Sequence, residues 1–212
     1  MLVTQITGII SSWSTLVIPV LFLVLRPQRL QHVHWLILVY SLLLFSSDRL
    51  QDLNAIRGIQ FHISFVFVLL EYALLSTFMY IVLQKKRNLR WVMAGSGIFA
   101  VMACIAWVQW GTSFFGSIRG ISVILLISYI MFFYLEWITA ENFEPIQNRV
   151  EFWMVTGALL YLAGNFFYFI TIHNPINAGL LIHNMVNMLR NAAFAAAIIQ
   201  SYNTGKYSGS NN

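Results

Sequence analysis

Seven apolar stretches follow one another along the chain, near 6–25, 33–47, 61–84, 91–110, 118–138, 152–172 and 177–200, with only brief polar connections between them. Most approach the ~20 residues that an α-helix needs to cross about 30 Å of hydrocarbon, the second being the shortest. In hydrocarbon every backbone N–H and C=O must find a partner inside the protein, so continuous apolar runs of this kind are helices. The expected fold is therefore all-α: a polytopic membrane protein, a seven-transmembrane-helix bundle over 1–200. A disordered polar tail over 201–212, rich in Ser, Gly and Asn, is expected to follow it. Pro19, the lone proline inside a span, is expected to kink the first helix. No Lys or Arg precedes Arg26 and no small-residue cleavage site follows the first run, so that run reads as a retained helix rather than a signal peptide.

Composition agrees. Hydrophobic residues make up 59% of the chain and charged ones 9%, against roughly a quarter charged in soluble domains. A secreted enzyme, a nucleic-acid-binding module and a chain that is only a disordered tail are excluded on that ground. The net charge of +5 is assigned to membrane topology rather than to an anionic polymer. Arg26, Arg29, Lys85, Lys86, Arg87, Arg90, Arg149 and Lys206 fall on one side of the seven spans, and Arg49, Arg57 and Arg119 on the other, eight against three. Basic residues are retained on the cytoplasmic side, so the amino terminus is expected outside and the carboxy terminus inside. The single cysteine, Cys104, excludes an intrachain disulfide framework and a Cys-based zinc site.

Polar groups inside spans are costly, and they face a bundle interior or a wet cavity. Glu71 in the third span and Arg190 in the seventh are the two candidates for mutual pairing, either as a structural ion pair or as the lining of a polar cavity. His183, Asn187, Arg190 and Asn191 share one face of the seventh span, with Asn184 at its flank. Trp153, Gly157, Tyr161, Gly164, Asn165 and Tyr168 form a stripe on the sixth, whose glycines admit a neighbouring backbone. The short HNPIN connection makes these two spans antiparallel neighbours with facing stripes, and Glu71, Tyr72 and Ser64 are expected to join the same interior. The candidate cluster, ligand-binding or structural, is thus Glu71, Tyr72, Tyr161, Asn165, Tyr168, His183, Asn187, Arg190 and Asn191.

Other polar residues carry plainer expectations. On the fifth span Arg119, Ser122, Tyr129 and Glu136 share a face, the two charges snorkelling at its ends. His32 and His34 are expected at the interface, and Ser96, Ala100 and Cys104 to form an ordinary close-packing ridge. His62, His173 and His183 lie toward the outer side, where hydrogen-bonded or interfacial histidines are favoured over a haem or metal site. No cofactor and no metal is expected. HExxH, GxSxG and P-loop motifs are absent. Lysine occurs only at 85, 86 and 206, outside the spans, which excludes a retinal Schiff base in the bundle. No catalytic residue is nominated, and an enzyme is the weakest reading.

Three segments resemble a group of small multi-spanning proteins of Bacteroidota: VLLEYALLSTFMYIVL around Glu71, EFWMVTGALLYLAGNFFYFI in the sixth span and LLIHNMVNMLRNAAFAAAI in the seventh. The resemblance implies an inner-membrane location and, since such proteins accompany sensor kinases, a sensing or signalling role. Four readings are carried forward. The first is a receptor-like component binding a small or lipid-like ligand, with Lys85, Lys86, Arg87 and Arg90 engaging a cytoplasmic or membrane signalling partner. The second is a non-catalytic accessory subunit of a larger membrane complex. A proton-coupled or small-solute transporter comes third, without inverted repeats to support it, and an intramembrane enzyme last. In all of them the bilayer is a partner and nucleic acid is not.

Overall fold

A computed structural model of the protein describes residues 2–25, 32–52, 60–109, 115–140, 145–171 and 178–209. Among them the chain forms α1 (Leu2–Ser14), α2 (Val17–Leu25), α3 (His32–Asp52), α4 (Gln60–Val82), α5 (Lys86–Gln109), α6 (Phe115–Thr139), a 3-10 turn (Ile146–Asn148), α7 (Val150–Thr171) and α8 (Ala178–Gly209), with no strand. Six stretches of these residues are long and apolar enough to cross a membrane: Gln5–Leu25, Val33–Leu50, Ile63–Val82, Lys86–Val108, Gly116–Thr139 and Val150–Phe167. The chain is an all-helical integral membrane protein.

The six stretches correspond to the first six apolar runs of the sequence. The seventh run forms α8, which is long enough but falls outside the set. His183, Asn184, Asn187, Arg190 and Asn191 dilute the apolar character of its first half. α8 runs from Ala178 to Gly209 and so extends into the segment for which the sequence suggests a disordered tail. Once a helix is nucleated each further residue adds a hydrogen bond, and a glycine such as Gly205 costs only about 1 kcal/mol. The first run is broken where Pro19 requires it. α1 ends at Ser14 and α2 begins at Val17, because proline cannot donate to the carbonyl four residues back at Thr15.

Contacts divide the chain into two compact units, Met1–Ser46 with Phe143–Asn212, and Ser47–Asn142. The first holds α1, α2, most of α3, the 3-10 turn, α7 and α8. Its centre is the α7–α8 pair, whose helices approach closely at two glycines of α7. A Cβ placed on Gly164 would collide with Val186, and one on Gly157 would press on Ala193 and Phe194. The glycines of the sixth run therefore let α8 approach, as the sequence anticipates. Tyr40 on α3 meets Phe194 edge-on at 6.0 Å. Trp153 Nε1 donates to the Gln147 carbonyl at 2.9 Å and Gln200 Nε2 to the Asn148 carbonyl at 3.2 Å, tying the 3-10 turn to both helices. His34 is 2% exposed and lies on the same face of α3 as buried Ile37 and Ser41, so helix periodicity turns it into the protein.

The second unit holds the end of α3 with α4, α5 and α6. Here α6 packs against both α4 and α5, with Phe78, Met79, Leu126, Ile130 and Phe133 all buried. A Cβ on Gly95 would overlap the Tyr129 hydroxyl, so that glycine is what lets the ring lie across α5.

Gly164→Val is expected to force α7 away from α8 at a cost of about 1–3 kcal/mol, seen as a lowered Tm in detergent. Gly97→Ala adds a methyl group where nothing lies within 4 Å and should leave the Tm no lower.

Candidate functional site

Arg190 organises the polar groups of the first unit. It is 1% exposed, so its five N–H donors must be satisfied by the protein. Nε and Nη2 donate to Asn191 Oδ1 at 3.1 and 3.0 Å, and Nη1 donates to Asn187 Oδ1 at 3.3 Å. The guanidinium carbon sits 4.5 Å from the ring centroid of Tyr161 and 5.9 Å from that of Tyr40. Both distances are within the range of cation–π attraction, which strengthens on desolvation. Among the described residues, amides of α8 and ring faces from α3 and α7 surround the cation.

Two chains of hydrogen bonds lead away from the cation. In one, the Asn187 amide donates to His183 Nε2 at 3.1 Å, and His183 Nδ1–H donates to Asn165 Oδ1 on α7 at 2.7 Å. That tautomer follows from the amide donor at Nε2. In the other, Asn191 Nδ2 donates to Ser14 Oγ at 2.6 Å, and Ser14 Oγ donates to the Ser11 carbonyl at 2.6 Å. Every donor points away from Arg190, so each bond is polarised in the sense that stabilises the positive charge. Asn184 Nδ2 adds a bond to Thr7 Oγ1 at 3.3 Å. The hydroxyls of α1 were not singled out in the sequence. The signal was the spacing of Thr7, Ser11 and Ser14, which places them on one helical face.

Of the sequence-nominated residues, Tyr161, Asn165, His183, Asn187, Arg190 and Asn191 come together in this way. The side chain of Tyr168 lies outside the described residues, as do that of His62 and the whole of His173. Both ring nitrogens of His183 are occupied by amides. Among the described residues no three of His, Cys, Asp and Glu gather where a metal could sit. Glu71 and Tyr72 belong to the second unit.

In the second unit Glu71 is 6% exposed on α4, and Tyr72 anchors a group of hydroxyls. Tyr72 Oη lies 3.1 Å from Tyr129 Oη and 3.2 Å from Ser96 Oγ, and Tyr129 Oη donates to the Val92 carbonyl at 3.4 Å. The Tyr72 ring stacks on Phe99 with centroids 3.9 Å apart. This pair of large rings spaces α4 from α5, and the small residues beyond it cannot close the gap. The result is a groove of about 630 Å³ between the two helices, running from Phe65 to Thr77 on α4 and from Ser96 to Val108 on α5. Its volume falls inside the ~300–1,000 Å³ usual for small-molecule sites. Ser96, Ala100 and Cys104 line the groove, which corrects their reading as a close-packing ridge. Apart from the hydroxyls near Tyr72 its wall is apolar, with Phe65 and Trp107 in ring contact at 5.1 Å near the other end.

The α4–α5 turn is held by an acid that the sequence assigned to snorkelling. Glu136 near the end of α6 accepts from the backbone N–H of Gln84 at 2.9 Å, from that of Lys85 at 3.1 Å and from Asn88 Nδ2 at 2.7 Å. Lys85 Nζ donates to Thr139 Oγ1 at 2.7 Å. A carboxylate at this position satisfies donors at the start of α5 and complements the positive end of its dipole. Lys85, Lys86, Arg87 and Arg90 are exposed around the fixed turn.

Asn191→Ala strips two donors of Arg190 of their acceptor and is expected to cost about 1–3 kcal/mol. Asn165→Ala, at the far end of its chain, should cost about 0.6–1.7 kcal/mol, the usual scale for one hydrogen bond between membrane helices. Denaturation in mixed micelles measures both, and equal losses would contradict the central position of Arg190. Glu136→Gln removes the charge at the turn, and limited trypsin digestion should then cut at Lys85, Lys86 and Arg87 several-fold faster.

Comparison of the chain with protein-family models, with curated proteins and with solved structures gives no match.

Proposed function

We propose that the chain is a seven-span protein of a bacterial inner membrane, amino terminus outside and carboxy terminus inside, acting as a receptor-like component that binds a lipid-like ligand. The observation that carries this reading is the α4–α5 groove, a ligand-sized, largely apolar recess in a helix pair of membrane-crossing character. α8 serves as the seventh span. Its length supports this, and so does the enclosure of Arg190 by amides, rings and hydroxyls, which lets a helix carry a cation in hydrocarbon. The basic residues at 85–90 then face the cytoplasm, where Glu136 holds them in a defined arrangement for an acidic surface of a signalling partner.

A second reading is favoured by a specific observation. The hydrogen bonds that radiate from Arg190 end on acceptors within the protein, as they would in an accessory subunit whose polar stripe only holds its helices together. Native mass spectrometry of protein extracted in mild detergent separates the two. A receptor-like protein retains lipid or another amphiphile at defined stoichiometry, and retention falls when Ala100→Phe fills the groove. An accessory subunit carries no such ligand and instead copurifies with partner chains, unaffected by that substitution.

A further inference from the structure

The α4–α5 groove has a direction and an end. From Ser96 to Val108 on α5 it follows the helix for twelve steps, or about 18 Å at 1.5 Å per residue. On α4 it starts at Phe65, near the beginning of the apolar stretch Ile63–Val82, and stops at Thr77. One leaflet contributes about 15 Å of hydrocarbon, so the groove reaches from one membrane face to slightly beyond the midplane. At the face end the flanking side chains are open to their surroundings, Trp107 being 46% and Val108 80% exposed. The inner end carries hydroxyls, Ser96 on α5 and Tyr72, Ser76 and Thr77 on α4, and that of Tyr72 is already bonded to Ser96 and to Tyr129. The described wall carries no charged side chain, so nothing along it would hold a headgroup. Small residues, Ala73, Ala100 and Ala103 among them, leave room for an occupant about one chain wide.

We infer that the groove holds one acyl chain of a bilayer lipid, inserted from the leaflet at the start of α4, and that its hydroxyl-lined inner end, Ser96 with Tyr72, Ser76 and Thr77, closes the site and so measures chain length. The inference rests on the lipid-binding reading above and sharpens it to a ligand class and a selectivity. A chain that fills the groove replaces the contacts that an empty recess forfeits. A shorter one leaves part of the recess unfilled, and a longer one must bend away from the hydroxyl stop. With the amino terminus outside, the lipid comes from the outer leaflet. The headgroup stays at the membrane surface and is not selected by the groove.

Cys104 provides the readout, since it lines the groove and is the chain's single cysteine. The full chain is reconstituted into nanodiscs of one phosphatidylglycerol at a time, with lauroyl, myristoyl, palmitoyl or stearoyl chains, and the rate of Cys104 alkylation by a membrane-permeant maleimide is measured. Protection of Cys104 should rise several-fold with chain length to an optimum and fall beyond it. Ala100→Trp, which blocks the inner half of the groove between Cys104 and Ser96, should move the optimum to a shorter chain. An unchanged Tm in detergent verifies that this variant folds, and Ala100→Leu is the smaller substitute if it does not. A flat profile with chains that still protect Cys104 overturns the measuring role and leaves lipid binding standing. Equal alkylation in every lipid, matching the rate in short-chain detergent, overturns both. Protection that follows protein density in the disc and not the lipid would assign the groove to a second copy of the chain, which also overturns the inference.

Discussion

A guanidinium buried from the surface has to find its partners in the protein, and the first unit is arranged around that requirement. Arg190 is enclosed by Asn187 and Asn191 on its own helix, by the Tyr161 ring on α7 and by the Tyr40 ring on α3. The amides cannot satisfy the cation and remain unsatisfied themselves, so each passes its demand onward, through His183 to Asn165 and through Ser14 to the Ser11 carbonyl. One buried charge thereby fixes the rotation of four helices about their axes. Gly157 and Gly164 make the arrangement possible, because hydrogen bonds of this length need the α7 and α8 backbones close together.

The second unit solves a different problem with different residues. α6 meets α4 and α5 through large buried side chains, and Tyr129 crosses α5 at Gly95. Between α4 and α5 the Tyr72–Phe99 stack sets the spacing at one level, while the small Ala100, Ala103 and Cys104 of α5 leave space beyond it. Rigid helices cannot bend inward to close such a gap, since interiors pack by matching shapes rather than by flowing. The groove is therefore a consequence of large rings and small residues at successive levels of the same helix pair. At the other end of that pair Glu136 meets the donors at the start of α5, where a turn entering a helix has N–H groups without intrahelical partners.

Much of this was legible along the chain. The all-helical membrane character follows from apolar runs near the length of a bilayer, and six of them reappear as helices of that length and hydropathy. The facing stripes of α7 and α8 were readable because helical periodicity and a short connection together leave few ways to pair them. The break before Pro19 was readable because its cause is local. What could not be read was which distant helix completes each polar stripe. Ser14 lies 177 positions from Asn191 in sequence, and no periodicity within either helix encodes their meeting. Glu136 looked like a snorkelling acid for the same reason, its partners lying about fifty positions away. Ser96, Ala100 and Cys104 looked like a packing ridge because small side chains report that something can come near, and not whether it does.

The sequence by itself determined that the chain is helical, that it belongs in a membrane, where the first helix breaks and which residues of α7 and α8 face each other. These are properties of hydrophobicity and helical repeat, which act over a turn or the length of one span. The tertiary structure decided that Arg190 is satisfied by amides and aromatic rings, that Glu71 and Tyr72 belong to a different unit from the α8 stripe, and that a groove opens between α4 and α5. Each of these depends on the distance between helices, and that distance is set by the largest side chains at the few levels where helices touch.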